Sequence, residues 1–413
     1  MKFNNESLLF VYTCYKVDAM KIRITIAMIS LFSVSGCDKS SGDSVSTPDP
    51  TVTVSNATQV EGNGGTSDFE FVATLSNTTS KQVTIAYSLA DGTAKAGEDY
   101  VAVTNQTVVF QPNETSRKIT VSVVADDIKE PDETFTLTVT SAINAKAPTK
   151  EATGTIINDD TKIPVNNAGY DAPSSYPGYT LAWSDEFTGT SLNMVNWSFQ
   201  NGNGCPDLCG WGNNELENYS PNNLSLQDGK MIIEARNDGG TYTSSKILST
   251  GKKAFKFGHI DIRAKLPKGK GIWPALWLMP EKNVYGNWPK SGELDMMEML
   301  GHEPNKVYGT LHFGPGPGST QINKNYTLPG GSFSDEFHVF SLIWKQDQIQ
   351  WLIDGNVYAT ANKADFGTNN YPFNEQFYFI MNVAVGGQWP GNPDATTIFP
   401  QWMIVDYVRV YQQ

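Results

Sequence analysis

The chain has 413 residues, which is long for one ordinary domain and suits two or three. Its 43 acidic and 30 basic side chains give a formal net charge of −13, and the absence of basic clusters argues against nucleic acid as a partner. Apolar residues make up 39%, which is enough for sizeable cores but does not suggest a polytopic membrane protein.

The N-terminal region has the form of an export signal. From Met20 the chain reads MKIRITIAMISLFSVSGC, in which Lys21 and Arg23 precede an apolar run that ends at Cys37. The last four residues resemble a bacterial lipobox, which implies that Cys37 carries a lipid; an uncleaved anchor with an incidental cysteine is the alternative. We therefore expect an exported protein, lipid-anchored to the bacterial cell envelope at the outer membrane or cell surface. Residues 1–19 fit no export signal, which suggests a true start at Met20.

The four cysteines divide between the leader and the folded part of the chain. Cys14 and Cys37 lie in the leader, whereas Cys205 and Cys209 form a close pair in GCPDLCG. In an exported protein, this pair is expected to form a small local disulfide. A zinc site is disfavoured because no second Cys/His pair at metal-binding spacing accompanies them.

A β-rich domain is predicted after the leader. Residues 38–50 are rich in Ser, Asp, Pro and Gly and are expected to form a flexible tether. In residues 51–161, four stretches alternate apolar and polar residues between turn-forming segments, which predicts an all-β sandwich. These stretches are FEFVATL (69–75), VTIAYSL (83–89), KITVSVVA (118–125) and FTLTVT (135–140).

Acidic loops connect these predicted strands. EGNGG, DGTAKAGEDY, DDIKEPDETF and INDD together resemble a Calx-beta domain, a small immunoglobulin-like β-sandwich. The resemblance implies calcium bound by carboxylates at one end of the sandwich, since oxygen-rich loops suit a hard cation. A solvated acidic rim on a spacer module is the alternative. The implied ligands are Glu61, Asp91, Asp126, Asp127, Glu130, Asp159 and Asp160.

A second domain is predicted after a linker at residues 162–178, which is rich in Pro, Gly and Asn. All ten Trp residues follow it, between Trp183 and Trp402, which places a domain boundary near residue 178. Residues 179–413 alternate like strands and lack a long stretch of helical periodicity, so a large two-sheet sandwich or jelly roll is predicted. The clearest predicted strands are 259–266, 349–354, 377–385 and 406–411.

Three carboxylates, Glu293, Asp295 and Glu298, interrupt a predicted buried strand in SGELDMMEML. Buried carboxylates are costly unless they are paired, liganded or used in chemistry. Glu293 and Asp295 share one face of a strand, and a β-bulge would bring Glu298 to that face as well. The two Glu Cα atoms would then lie roughly 13 Å apart. Inward-leaning side chains would bring the carboxyl groups to roughly 5 Å, which is the spacing of a retaining rather than an inverting glycosidase.

Aromatic residues flank this motif in GIWPALWLMP, YGNWP and NVAVGGQWPG. Aromatic faces pack against sugar rings, while carboxylates and amides bind the hydroxyl groups. Trp273, Trp277 and Trp389 lie in segments flanked by Gly or Pro and are predicted to face a ligand. Core packing is instead predicted for Trp183, Trp344 and Trp351.

The motif GELDMMEM matches the E-x-D-x-x-E signature of glycoside hydrolase family 16, and WSDEF, NNELENY, GTLHFG and DYVRVY match the family in order. The domain most resembles the bacterial laminarinases, which are endo-β-1,3-glucanases with a concanavalin A-like jelly roll. The resemblance implies that Glu293 is the nucleophile, Glu298 the general acid/base and Asp295 an assisting carboxylate, and that catalysis needs no cofactor. It also implies substrate contacts by Trp273, Trp277, His312, Asn213 and Glu217.

Two further expectations follow from the resemblance. Glu186 and Asp406 match positions that, with backbone oxygens, can hold a structural calcium. Lys246 stands where relatives often have Arg, and a Lys cannot reproduce a planar fork of donors.

The alternatives are a different polysaccharide substrate for the same kind of enzyme, or a protein that is not an enzyme. Mixed-linkage glucan, agar and carrageenan are alternative substrates, because relatives with this signature cut them. The Trp-flanked motifs contain few basic residues, which favours a neutral glucan over a sulfated galactan. A non-catalytic glycan-binding or adhesive lipoprotein is the alternative outside the enzymes. We expect a monomer whose partner is the polysaccharide and whose membrane contact is the lipid anchor alone.

Overall fold

The computed structural model describes residues 48–316 and 320–413. Cys37, with the predicted export signal and most of the tether, lies outside these residues. Within the described ranges, no helix is both long and apolar enough to cross a membrane. Asp49 to Gln413 form one compact unit.

The N-terminal domain is the predicted β-sandwich. Its strands are β1 (Val52–Val54), β2 (Ala57–Val60), β3 (Gly65–Leu75), β4 (Val83–Asp91), β5 (Gln106–Phe110), β6 (Ser116–Ala125), β7 (Glu133–Ile143) and β8 (Ala152–Ile157). One sheet has the order β1-β3-β6 and the other has the order β2-β8-β7-β4-β5. Alternate residues such as Phe69, Phe71 and Phe135 are buried in a single core, as the apolar–polar alternation predicted.

The C-terminal domain is a second and larger sandwich. Its strands are β9 (Thr180–Asp185), β10 (Ser198–Phe199), β11 (Asn218–Tyr219), β12 (Leu224–Gln227), β13 (Lys230–Asp238), β14 (Thr241–Ser244), β15 (Lys246–Leu248), β16 (Ala254–Phe255), β17 (Gly258–Lys265), β18 (Ile272–Pro280), β19 (Glu293–Met299), β20 (Lys306–His312), β21 (Gln321–Thr327), β22 (His338–Lys345), β23 (Gln348–Ile353), β24 (Asn356–Asn362), β25 (Phe377–Val385) and β26 (Gln401–Gln412). Short 3-10 segments occur at Cys209–Gly212, Pro221–Asn223 and Lys363–Phe366.

These strands form two sheets that enclose the main core. The eight-stranded sheet has the order β10-β15-β25-β18-β19-β20-β21, with β16 beside β25. The ten-stranded sheet has the order β11-β14-β13-β26-β17-β22-β23-β24. In addition, β12 pairs with β13, and β9 pairs with β26. Trp344 and Trp351 are buried in the core between the sheets, and Trp183 packs against this core, as predicted. The all-β prediction with two sandwiches is confirmed.

The predicted linker, residues 162–178, is packed on the C-terminal domain; we call it the strap. Ile163 is buried in an apolar cluster with Phe337. The strap also lies against Phe337 at Gly169, where a Cβ atom would approach the Phe337 carbonyl oxygen to 2.0 Å, so only glycine fits. Further along, Tyr176 donates a hydrogen bond to Asp261 on β17 (2.7 Å). Packing on the C-terminal domain therefore begins near Ile163, which corrects the boundary predicted at residue 178.

Candidate active site

The three carboxylates of the opening motif lie on β19, and the strand contains the predicted bulge. Asp295 is paired with Thr310 on β20, whereas Glu298 is paired with Tyr308. Three steps on β19 therefore correspond to two on β20, which defines a β-bulge. Leu294 is buried in the core, while the two glutamates of the motif remain partly exposed on the other face.

The bulge is held from the core side by Trp351. Its indole nitrogen donates a hydrogen bond to the backbone carbonyl of Asp295 (3.0 Å). Gly309 lies against this indole, and a Cβ atom at Gly309 would approach the ring to 2.6 Å. A residue predicted as core packing thus also fixes the backbone that presents the carboxylates.

Glu293 is held by an indole donor and lies beside a histidine. Trp288 Nε1 donates a hydrogen bond to Glu293 Oε2 (2.7 Å), and His312 Nε2 lies 3.7 Å from Oε1. Burial and the charge of Asp295 raise the pKa of Glu293 to about 7, while His312, Trp288 and Lys246 oppose this rise. The carboxyl group is therefore ionised above about pH 7, which is the state that a nucleophile requires.

Glu298 is also held by an indole donor. Trp273 Nε1 donates a hydrogen bond to Glu298 Oε1 (3.1 Å). Burial, and then the charges of Asp295 and Glu293, raise the pKa of Glu298 well above its usual range. This shift favours the protonated carboxylic acid, which is the form that a general acid requires.

Asp295 lies between the two glutamates in the sequence and is almost completely buried. His312 Nε2 lies 3.2 Å from Asp295 Oδ2. Burial raises the pKa of Asp295 well above its usual range. His312 is thus close to the trio, as predicted, and it contacts the carboxylates themselves.

An aromatic wall extends beyond Glu298. Trp389, which is 40% exposed, packs edge-to-face against Trp273 with ring centroids 5.5 Å apart. It also packs against Tyr308 at 5.0 Å. The predicted ligand-facing residues Trp273 and Trp389 therefore lie together beside the acid.

A second group of aromatic residues surrounds Lys246 on the other side of the site. Its Nζ lies 4.3 Å from the ring centroid of Trp211, 5.1 Å from that of Trp277 and 5.6 Å from that of Tyr219. Burial lowers the pKa of Lys246, while Glu293 and other nearby carboxylates oppose this change. A cation held by aromatic faces contributes a point charge where a guanidinium would contribute a fork of donors.

The prediction that Glu217 contacts the substrate is wrong. Its side chain is 0% exposed and accepts a hydrogen bond from the backbone nitrogen of Val385 (2.7 Å). The preceding residue, Leu216, pairs with the end of β25, and this pairing turns Glu217 into the fold. Glu215 is partly exposed instead and accepts a hydrogen bond from the exposed Asn213 (2.9 Å). Burial raises the pKa of Glu217 well above its usual range.

Trp288 and Glu215 are among the site residues that were not predicted as ligand-facing, as are Trp211 and Tyr308. Trp288 lies in YGNWP, directly before the motif, and this proximity was the available signal. Glu215 lies in NNELENY, in which the pattern alone does not distinguish its orientation from that of Glu217. The loop before this segment is closed by the predicted disulfide between Cys205 and Cys209.

Carboxylates at one end of the N-terminal domain form two groups that could hold cations. Within each group, the potential ligand atoms lie within 4.8 Å of one another. Asp160 is 9% exposed, and its Oδ2 has no hydrogen-bond partner among the described residues. Burial, with the charges of neighbouring carboxylates, raises the pKa of Glu61 to about 7. These residues fit a hard cation. The groups are Glu61, Asp126 and Asp160, and Asp99, Glu130 and Glu133.

Three of the predicted calcium ligands belong to neither group. Asp91 accepts a hydrogen bond from the hydroxyl of Tyr100 (2.6 Å), and Asp159 accepts one from the backbone nitrogen of Gly62 (3.0 Å). Asp127 forms an ion pair with Lys162. The second group instead contains Asp99 and Glu133, which were not predicted.

The predicted calcium pair Glu186 and Asp406 is engaged by cationic side chains. Both carboxylate oxygens of Glu186 accept hydrogen bonds from Arg409 (3.0 and 2.8 Å). Those of Asp406 accept from Lys230 (2.8 Å) and Arg263 (2.6 Å). Each carboxylate of this pair therefore has a counter-charge in this structure, and calcium binding there stays a prediction.

Comparisons with known proteins agree with this geometry. A model of the family described as glycosyl hydrolases family 16 matches residues 209–408, and one of the Calx-beta domain matches 47–160. Glucan endo-1,3-beta-glucosidase A1 of Niallia circulans is 43% identical over 57% of this chain, but the match spans 38% of that protein. Beta-glucanase of Rhodothermus marinus is 36% identical over 59% of this chain and 89% of its own length. The catalytic domain of an endo-1,3-beta-glucanase (laminarinase) from Thermotoga petrophila RKU-1 is 44% identical with a TM-score of 0.54, and the match covers 57% of this chain and 98% of that one.

Proposed function

The chain belongs to glycosyl hydrolase family 16, and from the geometry of its site we propose that it is a retaining endo-hydrolase of β-1,3-glucan. Glu293 attacks the anomeric carbon while Glu298 donates a proton to the leaving oxygen. Glu298 then removes a proton from the water that releases the sugar from Glu293. Asp295 supports the pair without making or breaking a bond.

The observation that carries this proposal is the pair of glutamates on one face of a bulged strand. Each accepts a hydrogen bond from a different indole, Glu293 from Trp288 and Glu298 from Trp273. Their surroundings raise both pKa values, to about 7 for Glu293 and well above the usual range for Glu298. One carboxylate and one carboxylic acid facing the same space are the requirement of double displacement.

A neutral glucan is the substrate that the charges near the site favour. His312 and Lys246 are the basic side chains that act on Glu293, and the carboxylate of Glu215 counters the charge of Lys246. A sulfated galactan would need several cations to neutralise its anionic groups. The similar proteins named above also act on β-glucans.

The proposal is tested by product analysis on laminarin, mixed-linkage glucan, agarose and carrageenan side by side. We expect laminarin to be cut fastest, with products of several lengths appearing early because the enzyme is endo-acting. Cleavage of a galactan alone would overturn the substrate. Binding of laminarin without any new reducing ends would instead indicate a glycan-binding module.

We also propose that the protein is exported and anchored to the cell envelope through a lipid on Cys37, because an apolar run ends in VSGC at this position. Replacing Cys37 with Ala should move the protein from the membrane fraction to the soluble fraction, or block its maturation. Mass spectrometry of the mature N-terminus provides the direct measurement. An unmodified N-terminus with unchanged membrane fractionation would contradict the anchor.

A further inference from the structure

Two acidic side chains of NNELENY, Glu215 and Glu217, lie in contact, and the mechanism uses neither of them. Glu217 is completely buried, whereas Glu215 is partly exposed. One oxygen of Glu217 accepts a hydrogen bond from the backbone nitrogen of Val385 (2.7 Å). The other, Oε1, is buried and has no donor among the described residues. Two ionised carboxylates cannot hydrogen-bond each other, because both only accept, so a proton on one of them supplies the missing donor.

The charges around Glu217 favour a single proton on this pair. Burial, and then the charge of Glu215 and a hydrogen bond between the two side chains, raise the pKa of Glu217 well above its usual range, while backbone donors oppose this rise. The charge of Lys246 on β15 interacts with both carboxylates. Its ammonium group lies over aromatic rings and forms no ion pair with any described residue. With one proton on the pair, one anion faces one cation, and no second buried charge is left without a counter-charge.

A chain of hydrogen bonds places the remaining negative charge on Glu215. Trp277 Nε1 donates to Asn382 Oδ1 (2.8 Å), and an indole can only donate. The amide nitrogen of Asn382 is therefore the group that donates to the hydroxyl of Tyr219 (2.9 Å). Tyr219 in turn donates its own proton to Glu215 Oε2 (3.4 Å). The chain runs from an aromatic residue predicted to face the ligand to the partly exposed carboxylate.

Glu215 has donors on both oxygens, because Asn213 donates to Oε1 (2.9 Å). Hydrogen bonds to the ionised form favour a carboxylate at Glu215, whereas complete burial favours the neutral acid at Glu217. Besides Glu215, the titratable groups near Glu217 are Tyr219 of the same segment and Lys246 of β15. The shared proton therefore belongs on Glu217.

We propose that Glu217 is a positioning residue: as a carboxylic acid it donates a hydrogen bond to the carboxylate of Glu215 and holds Glu215 toward the cleft as an acceptor for sugar hydroxyl groups. The sugar-binding part rests on the proposed function, whereas the shared proton does not. Ionisation of Glu217 removes the donor and sets two carboxylates against each other. Affinity for the glucan should therefore fall as the pH rises through the raised pKa of Glu217.

Infrared difference spectroscopy tests the proton without any substrate. The carbonyl stretch of a protonated carboxylic acid should be present in the wild type at neutral pH and should be lost in Glu217→Gln. Other buried acids contribute bands of the same kind, so the difference between the two proteins is the measurement. Glu70→Gln is the matched control: Glu70 is paired with Lys118, so its substitution should remove no such band. A band of equal size in wild type and Glu217→Gln would overturn the proposal.

Calorimetry with a laminari-oligosaccharide tests the positioning role, in the Glu293→Gln protein so that the sugar is not cleaved. Adding Glu217→Gln retains a donor at every pH, so affinity should stay within about twofold at neutral pH and should not fall in alkali. Adding Glu217→Met fills the same space without a donor and should weaken binding by about tenfold at neutral pH. Ionisation of Glu298 and Lys246 is common to all three proteins and cancels in the comparison.

The outcomes separate this proposal from the proposed function. An equal loss of affinity in alkali with and without Glu217→Gln would overturn the positioning role, because Gln cannot ionise. Absence of binding in all three proteins at every pH would instead overturn the glucan as substrate. In that case the infrared comparison still decides whether Glu217 carries the proton.

Discussion

Replacing Glu293 with Gln should lower kcat on laminarin by roughly 10⁴-fold or more, because no other group can form the covalent glycosyl-enzyme. Gln keeps the shape of the side chain and an oxygen that can accept the hydrogen bond from Trp288 (2.7 Å in the wild type). The melting temperature should not fall, since the substitution also removes a charge from a site where burial disfavours it. Initial-rate measurements and thermal melts of the two proteins provide the comparison.

Two controls separate loss of chemistry from loss of structure. Binding of a laminari-oligosaccharide to Glu293→Gln should stay within a few-fold of wild-type affinity in short titrations, because the aromatic residues around the site are untouched. In the wild type, proton NMR of the first product should show the β-anomer, as retention requires. An initial α-anomer would mean inversion and would refute the nucleophile.

Local chemistry explains why β19 could be predicted in detail. Side-chain alternation and the cost of burying charge both act over a few residues, and together they required an extra residue between Asp295 and Glu298. Trp344 and Trp351 were likewise predictable as core, because they lie within regular strands. Predictions that rested on the period of a strand were therefore confirmed.

Predictions about irregular segments depended on contacts distant in sequence. Glu215 and Glu217 are equivalent in the pattern, and pairing of Leu216 with Val385 on β25 decides which of them is buried. The strap has the composition of a linker because Pro, Gly and Asn suit any extended segment, and Ile163 alone gives little sign of docking. Such outcomes are fixed by tertiary pairing rather than by local propensity.

Predicting which carboxylates of the acidic loops face one another had the same limitation. Asp91 and Asp99 both lie in DGTAKAGEDY, and either could have faced the other carboxylates. The hydroxyl of Tyr100 takes Asp91 as its acceptor, so Asp99 joins Glu130 and Glu133 instead. A resemblance identifies the loop, but the hydrogen bonds within the loop decide which of its carboxylates come together.

The loss of activity in Glu298→Gln should depend on the leaving group of the substrate, whereas the loss in Glu293→Gln should not. On laminarin we expect a loss of about 10²–10⁴-fold, the usual contribution of general acid catalysis. A dinitrophenyl β-laminaribioside needs no proton for departure of its leaving group, so the first step should remain fast. Hydrolysis of the glycosyl-enzyme should then be slow, because no general base removes a proton from the attacking water. A burst of dinitrophenol should therefore precede a slow steady state.

The pH dependence of kcat/KM provides an independent check on the same residue. Wild-type activity should fall below about pH 7, where Glu293 becomes protonated, and should fall again at higher pH, where Glu298 loses its proton. With the dinitrophenyl substrate, Glu298→Gln should keep the acidic limb and lose the alkaline one. An alkaline limb that persists in this variant would assign the acid to another group.

External azide distinguishes the two glutamates by the product that it forms. In Glu298→Ala, azide can attack the glycosyl-enzyme without a base, which displaces Glu293 and gives a β-glycosyl azide after two inversions. In Glu293→Ala, azide can enter the space of the missing carboxylate and attack the dinitrophenyl substrate directly, which gives the α-glycosyl azide after one inversion. Opposite anomers from the two variants would establish both roles together, since each role fixes the face from which azide arrives. The same anomer from both variants would mean that the two carboxylates do not lie on opposite sides of the reacting sugar.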